Sequence, residues 1–274
     1  MRNWIQRHPL IALFGLIYLF GWIILIPSAL DSQGWLPFRL PGAFSTLAGW
    51  APGLAAIIVT GATGGRAAVK ELFRRFLIMR VSPVWYVVAL FGMAGAMLAG
   101  VGLFTLSGGT AVIPAASGPA FTVAIVFVVT VLLGVVLNTE EIAWRGVALP
   151  RLQAAYGALG ASLILAVPEG FLHLPLFLQK DVAFFQNVGI PAFMLFSFAL
   201  TVLYTWIFNN TRGSLLIVTL LHASQNAWAN LLSDDQAAPF YWTVALLVAV
   251  AIAVVAVFGS ARLVRGPVPT LSPT

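Results

Sequence analysis

Two adjacent carboxylates, Glu140 and Glu141, follow a long apolar run, Phe121 to Leu137, and open the stretch NTEEIAWRGVALPR, which runs from Asn138 to Arg151. Charges in or beside a bilayer are costly to hold and rarely idle. Glu141 and Arg145 are four apart with the acid on the N-terminal side, so on a helix they stack and can pair. Glu140 is turned by about 100° from Glu141 on the same helix, and that pairing leaves it free. One held and one freer carboxylate are a starting point for general acid–base chemistry. The same residues also read as a plain helix start, with Asn138 as cap and the acids meeting the helix dipole.

Two further apolar stretches carry residues of the same kind, Glu169 with His173 and His222 with Asn226. His222 and Asn226 are one helical turn apart and share a face. An imidazole N–H and an amide held together can stabilise an oxyanion, or they can be interhelical hydrogen bonds that hold a bundle together. Glu169, one turn before His173, could orient that ring, act as an acid, or be a structural partner. Two histidines and a glutamate are also an acceptable zinc set, although no H-E-x-x-H pair is present. Cysteine is absent, which excludes disulfides and thiolate chemistry. No G-x-S-x-G elbow or Gly-rich phosphate loop occurs either.

The elements that must position these residues are membrane helices. The 274 residues are 61% hydrophobic and 8% charged, with mean hydropathy +0.99, against roughly 25% charged residues in soluble proteins. The spacing predicts an all-α, polytopic bundle of about eight spans, near 10–30, 43–63, 84–105, 120–137, 158–178, 190–208, 214–232 and 240–258. One transmembrane domain would take up residues 1–274, with the core motifs within about 120–232. The first apolar run is long enough to span and reads as a retained helix rather than a signal peptide. Residues 64–80 carry five basic residues and Leu72, Phe73, Phe76 and Leu77 at helical spacing, which predicts a basic amphipathic helix on the membrane surface. Ser82-Pro83 reads as a capped helix start, and Gly92, Ala96 and Gly100 permit close helix packing.

Charge placement sets the orientation. With both ends cytoplasmic, the inner segments hold Arg2, Arg7, Arg66, Lys70, Arg74, Arg75, Arg80, Arg145, Arg151, Arg212, Arg262 and Arg265, and the outer loops only Arg39 and Lys180. That is a strong positive-inside bias. Asp31, Asp181, Asp234 and Asp235 fall outside. The net charge of +6 therefore faces anionic lipid at the cytoplasmic face, not nucleic acid. On this reading the Glu140 segment is near the cytoplasmic side. The Asn209-Asn210-Thr211 glycosylation sequon falls on that side too and is discounted. The excess of Arg over Lys, with many Ala and Gly, is associated with GC-rich bacterial genomes, which suggests a bacterial cell membrane.

Glu140-Glu141-x-x-x-Arg145, then His173, then His222-x-x-x-Asn226, each at a membrane span and in this order, resembles the CAAX prenyl protease and bacteriocin-processing (CPBP) family of intramembrane glutamic endopeptidases. Arg145-Gly146 with Leu149, His173-Leu174-Pro175, and Gly213-Ser214-Leu215-Leu216 leading to His222 are similar too. The resemblance implies that Glu140 is the general base that activates water, that His173 helps hold that water, and that His222 and Asn226 form the oxyanion site. Glu141 and Arg145 would orient the site, with no metal or cofactor. The substrate would be a membrane-associated peptide or protein, cut near the cytoplasmic leaflet.

One departure stands out. The family's second motif has an aromatic residue four before the histidine, whereas this chain has Glu169, with Phe171 two before. Glu169 is therefore a candidate modifier of activity, and it motivates an alternative, a non-catalytic membrane binding or immunity protein of the same fold. A zinc-dependent membrane protease and a small transporter are the other readings. The transporter is separated from the protease by whether Glu140, His173 and His222 surround one pocket open to the cytoplasm or line a path across the bilayer.

Overall fold

A computed structural model of the chain describes residues 2–114, 118–233 and 236–269. Asp234, Asp235 and part of the 106–119 loop lie outside the described residues. Among the described residues the chain is all-helical, as its apolar composition requires. A backbone in lipid must satisfy its own hydrogen bonds. A short helix α1 (Arg2–Arg7) leads into α2 (Pro9–Ser32). A 3-10 segment, Phe44–Trp50, opens into α3 (Ala51–Arg74), and α4 (Pro83–Leu106), α5 (Ala120–Leu137) and the four-residue α6 (Glu140–Ala143) follow. A π-helical segment, Trp144–Ala148, joins α6 to α7 (Leu149–Leu172). Then come α8 (Ala183–Val188), α9 (Ile190–Asn210), α10 (Leu215–Leu232) and α11 (Ala237–Phe258).

The chain is an integral membrane protein, and among the described residues seven helical segments are long and apolar enough to cross a bilayer. Six of the eight expected spans coincide closely with α2, α4, α5, α9, α10 and α11. Of the other two, 43–63 takes in the 3-10 segment and the part of α3 before a glycine break, and 158–178 takes in the part of α7 after a glycine break and the 3-10 turn Leu174–Leu178. The exception to the apolar rule is α10, whose hydropathy is lowered by His222, Gln225, Asn226 and Asn230. Those polar groups are tolerated because α10 packs between α4, α5 and α9. Its first turn is capped by the Ser214 hydroxyl, which accepts from the Ile217 N–H.

Gly65 (φ 68°) divides α3 into a membrane piece and a basic piece, and Gly157 (φ 69°) divides α7 in the same way. Both are in the left-handed region where a side chain would be strained. The Gly157 break would strand backbone donors, but the chain after α11 supplies acceptors. Ala158 N–H donates to Ala261 O and Leu159 N–H to Ser260 O. Asn209 and Asn210 hold the same tail through Arg262 O and Leu263 O. Asn209, the sequon residue, is buried.

The expected amphipathic helix occupies the chain after Gly65. Leu72, Arg75 and Phe76 turn inward, while Phe73, Arg74 and Leu77 are exposed. Close packing by the small residues of α4 is realised at Gly100, where a Cβ would collide with the Thr243 backbone of α11. It is not realised at Gly92, which has only an ordinary contact with Val88 of its own helix. Ser82 does stand at the N-cap of α4, with Pro83 at the first turn, but its side chain makes no cap hydrogen bond.

Candidate active site

The Glu-Glu helix starts where its neighbours force it to. Thr139 anchors to the 3-10 turn before α3: its N–H and hydroxyl both donate to Gly49 O, and the hydroxyl accepts from Gly53 N–H at 2.9 Å. Gly49 and Gly53 permit this approach, because a Cβ at Gly49 would strike the Leu137 carbonyl and one at Gly53 the Thr139 side chain. Asn138 then turns back, its Oδ1 accepting from Glu140 N–H at 3.0 Å. The expected cap is thus Thr139 by position, and Asn138 holds the backbone from one residue further out.

Two parallel i,i+4 pairs leave this start. Glu140 Oε2 accepts from Trp144 Nε1 at 3.1 Å, and the Arg145 guanidinium lies 3.3 Å from the Glu141 carboxylate. The stacking of Glu141 on Arg145 that spacing predicts is therefore present, and Glu140 stays outside it. Trp144 is fully buried, wedged by Phe14 of α2. The π-helical turn begins at this tryptophan, and such widened turns recur at functional sites.

Glu141 does more than hold Arg145. Its Oε1 also accepts from His222 Nδ1 at 2.8 Å. Nε2 of that ring lies 3.1 Å from Asn138 Nδ2, which also donates to Glu140 Oε1 at 3.3 Å. Asn138 thus joins the base candidate to the oxyanion candidate. The Glu140 carboxylate lies within Coulombic reach of both His222 and His173.

His173 ends α7, with Nδ1 bonded to the Glu169 carbonyl at 2.9 Å, which leaves Nε2 for the cavity. Phe193 and Phe185 flank its ring, at centroid distances of 5.3 and 6.4 Å. They supply the aromatic surroundings absent from the sequence position four before it. Phe171 does not, being exposed on the outer surface. The Glu169 side chain turns away from His173. It pairs with Arg145 and accepts from Thr201 Oγ1 at 2.5 Å. Of the three roles open to Glu169, the observed contacts are those of a structural partner. Arg145 is sealed between two carboxylates and lies 4.5 Å over the Tyr204 ring.

These groups meet in one cavity of about 740 Å³, lined by Glu140, Glu141, Arg145, Glu169, His173, His222 and Asn226 together with Asn138, Thr201 and Tyr204. Asn226 projects into it, exposed and without a hydrogen bond among the described residues. Arg145 and Tyr204 form the floor. From there the lining rises to 181–185, Ser233, Gln236 and Phe240. The pocket therefore leads away from the basic end of the bundle, whereas the sequence reading put its opening on that side. No described residue of 64–80 or 209–213 lines it, because the buried ion network and the Trp144 and Phe208 packing close that end. Among the described residues no group of three or more histidine, aspartate or glutamate side chains is arranged to hold a metal ion.

Residues 117–228 match the family model described as type II CAAX prenyl endopeptidase Rce1-like. This stretch is similar to the Rce1-like family. No curated protein matches the chain. The Rce1-like segment runs from just before α5 to within α10, and so contains every acidic, histidine and arginine residue of the cavity described above. The match supports a membrane protease of the CAAX type, with a membrane-associated protein as substrate.

Sequence reasoning missed Asn138 as a bridge, Trp144 as the clamp on Glu140, and Thr201 and Tyr204 as partners of the ion network. Trp144 alone left a signal, the same four-residue spacing from Glu140 that identified Arg145. Thr201 and Tyr204 are on α9, and nothing local ties them to the motifs.

Proposed function

We propose that this chain is an intramembrane endopeptidase that hydrolyses peptide bonds with a water activated by Glu140. The reading is carried by the separation of the two adjacent carboxylates. Glu141 is consumed by Arg145 and His222, while Glu140 keeps a polar, lightly held carboxylate on the cavity. A water held between Glu140 and His173 Nε2 attacks the substrate carbonyl carbon, and Glu140 takes its proton. The carbonyl oxygen becomes an oxyanion, which the Asn226 amide can meet without giving up a partner. His222 joins it as the imidazolium, with Nδ1–H kept on Glu141 and Nε2–H turned from Asn138 to the oxyanion. The C–N bond then breaks, and Glu140 returns the proton to the leaving amine. Preorganised donors of this kind are worth most in a water-poor site.

A closed floor supports a reaction site over a transport path. Glu169, turned toward Arg145, leaves the water position between Glu140 and His173 uncrowded, so the departure from the family pattern is compatible with activity. The exposed Phe73, Leu77 and Arg74 beyond Gly65 fit a helix resting on anionic lipid.

The test is cleavage of a membrane-peptide mixture by detergent-purified protein, wild type beside Glu140→Gln, with and without a strong zinc chelator. Loss in Glu140→Gln with indifference to chelator is the expected result. Loss with chelator would move the mechanism to zinc, and no cleavage by folded wild type would favour a binding or immunity role.

A further inference from the structure

The two ends of the bundle differ in charge, and the cavity opens at the end that lacks it. Arg66, Lys70, Arg74 and Arg80 follow the Gly65 break. Arg151 precedes the Gly157 break, and Arg212 donates to Arg80 O at the same end. At the opposite end the described bases are Arg39, bridged to Asp31 at 3.4 Å, and Lys180.

Depth can be read from α10, which packs antiparallel to α5. Gly134 of α5 meets Ala223, and Phe127 meets Trp228. His222 is seven residues from the start of α10 at Leu215, and ten from its end at Leu232. At 1.5 Å per residue this puts it about 10 Å from the basic end and about 15 Å from the other. The shorter route is the blocked one, through Arg145, Tyr204 and the packed core beneath them. The longer route is the cavity itself, which ends among Asp181, Val182, Phe184, Gln236, Pro239 and Phe240.

Positive segments stay in the cytoplasm during insertion, so the mouth faces away from it. We propose that the substrate enters from the non-cytoplasmic side, as a peptide segment already translocated or emerging from the outer end of a membrane helix. The mouth selects an apolar side chain, since Phe184, Phe185, Phe193, Phe196 and Phe240 form one aromatic cluster around its entrance. The choice of a peptide as occupant rests on the endopeptidase reading. The direction of access does not.

The natural absence of cysteine makes the test direct. Single cysteines at Asp181 and Gln236 on the mouth, at Asn230 inside the cavity, and at Lys70 on the basic end are treated in intact cells with a membrane-impermeant maleimide. All four positions are exposed, so the variants should fold. The expected result is labelling of Asp181→Cys, Gln236→Cys and Asn230→Cys in intact cells, and of Lys70→Cys only after permeabilisation. The reverse pattern, or an Asn230→Cys labelled only after permeabilisation, overturns the proposal. In a second arm, a membrane-anchored reporter carries the same apolar cleavable segment on either face, and only the outward one should be cut. Cutting of the inward reporter alone overturns the proposal. If neither is cut while labelling follows the expected pattern, the endopeptidase reading fails and the access route stands.

Discussion

Arg145 pairs with Glu169, twenty-four positions further along the chain, as well as with Glu141 one turn before it. One buried guanidinium thus ties the Glu-Glu helix to the helix that carries His173. The carboxylate that breaks the family pattern is the second half of this clamp.

Removing the cation should therefore unfold the site before it affects chemistry. Breaking a buried pair by deleting one partner costs about 3–5 kcal/mol, because a charge is left uncompensated. Arg145→Met should lower the thermal midpoint in detergent sharply. Arg145→Met combined with Glu169→Leu should cost less than the two single changes added together. Simple additivity would mean the two residues do not act as a unit.

Glu140→Gln should behave in the opposite way. The amide oxygen can still accept from Trp144, so folding and thermal midpoint should stay close to wild type. A lost general base should lower the cleavage rate by about 10²–10⁴-fold. A large loss of stability in this variant would show that Glu140 is structural.

Asn138 connects Glu140 and His222, touching each through one amide nitrogen. Hydrogen bonds to charged groups contribute about 1.5–3 kcal/mol, so Asn138→Ala should lower kcat roughly ten- to a hundred-fold. KM should change much less, since Asn138 positions other residues rather than gripping the peptide. Steady-state kinetics that put the whole effect in KM would remove it from this role.

Gly49 is a test of the scaffold at a distance from the chemistry. A Cβ there meets the Leu137 carbonyl, backbone that cannot swing aside. Overpacking of this kind costs about 1–3 kcal/mol. Gly49→Ala should lower stability and also slow cleavage, because it displaces the Thr139 anchor that sets where Glu140 begins. An unchanged rate in a destabilised variant would show that the anchor does not position the base.

Much of the bundle was legible because lipid leaves the chain few options. A run of about twenty apolar residues between polar segments can only be a spanning helix, and α5 was expected at the bounds it has. The Glu141–Arg145 pair was legible for a similar reason, since a four-residue spacing fixes the contact wherever the helix goes. The two glycine breaks were less legible. Gly65 and Gly157 carry no marker that separates them from the chain's other glycines, and only their positive φ shows where the helices turn.

The sequence by itself determined the membrane class, the approximate spans, the ordered set of Glu140, His173 and His222, and the basic end of the molecule. These follow from composition and from contacts within one helix turn. Only the tertiary structure decided that the Glu169 side chain serves Arg145 while its carbonyl holds the His173 ring, that Asn138 bridges two helices, and that the cavity opens away from the basic end. Each of these depends on which helix faces which, across separations of tens of residues. Helix-to-helix packing of buried polar groups has no period along the chain, so it is settled only when the bundle closes.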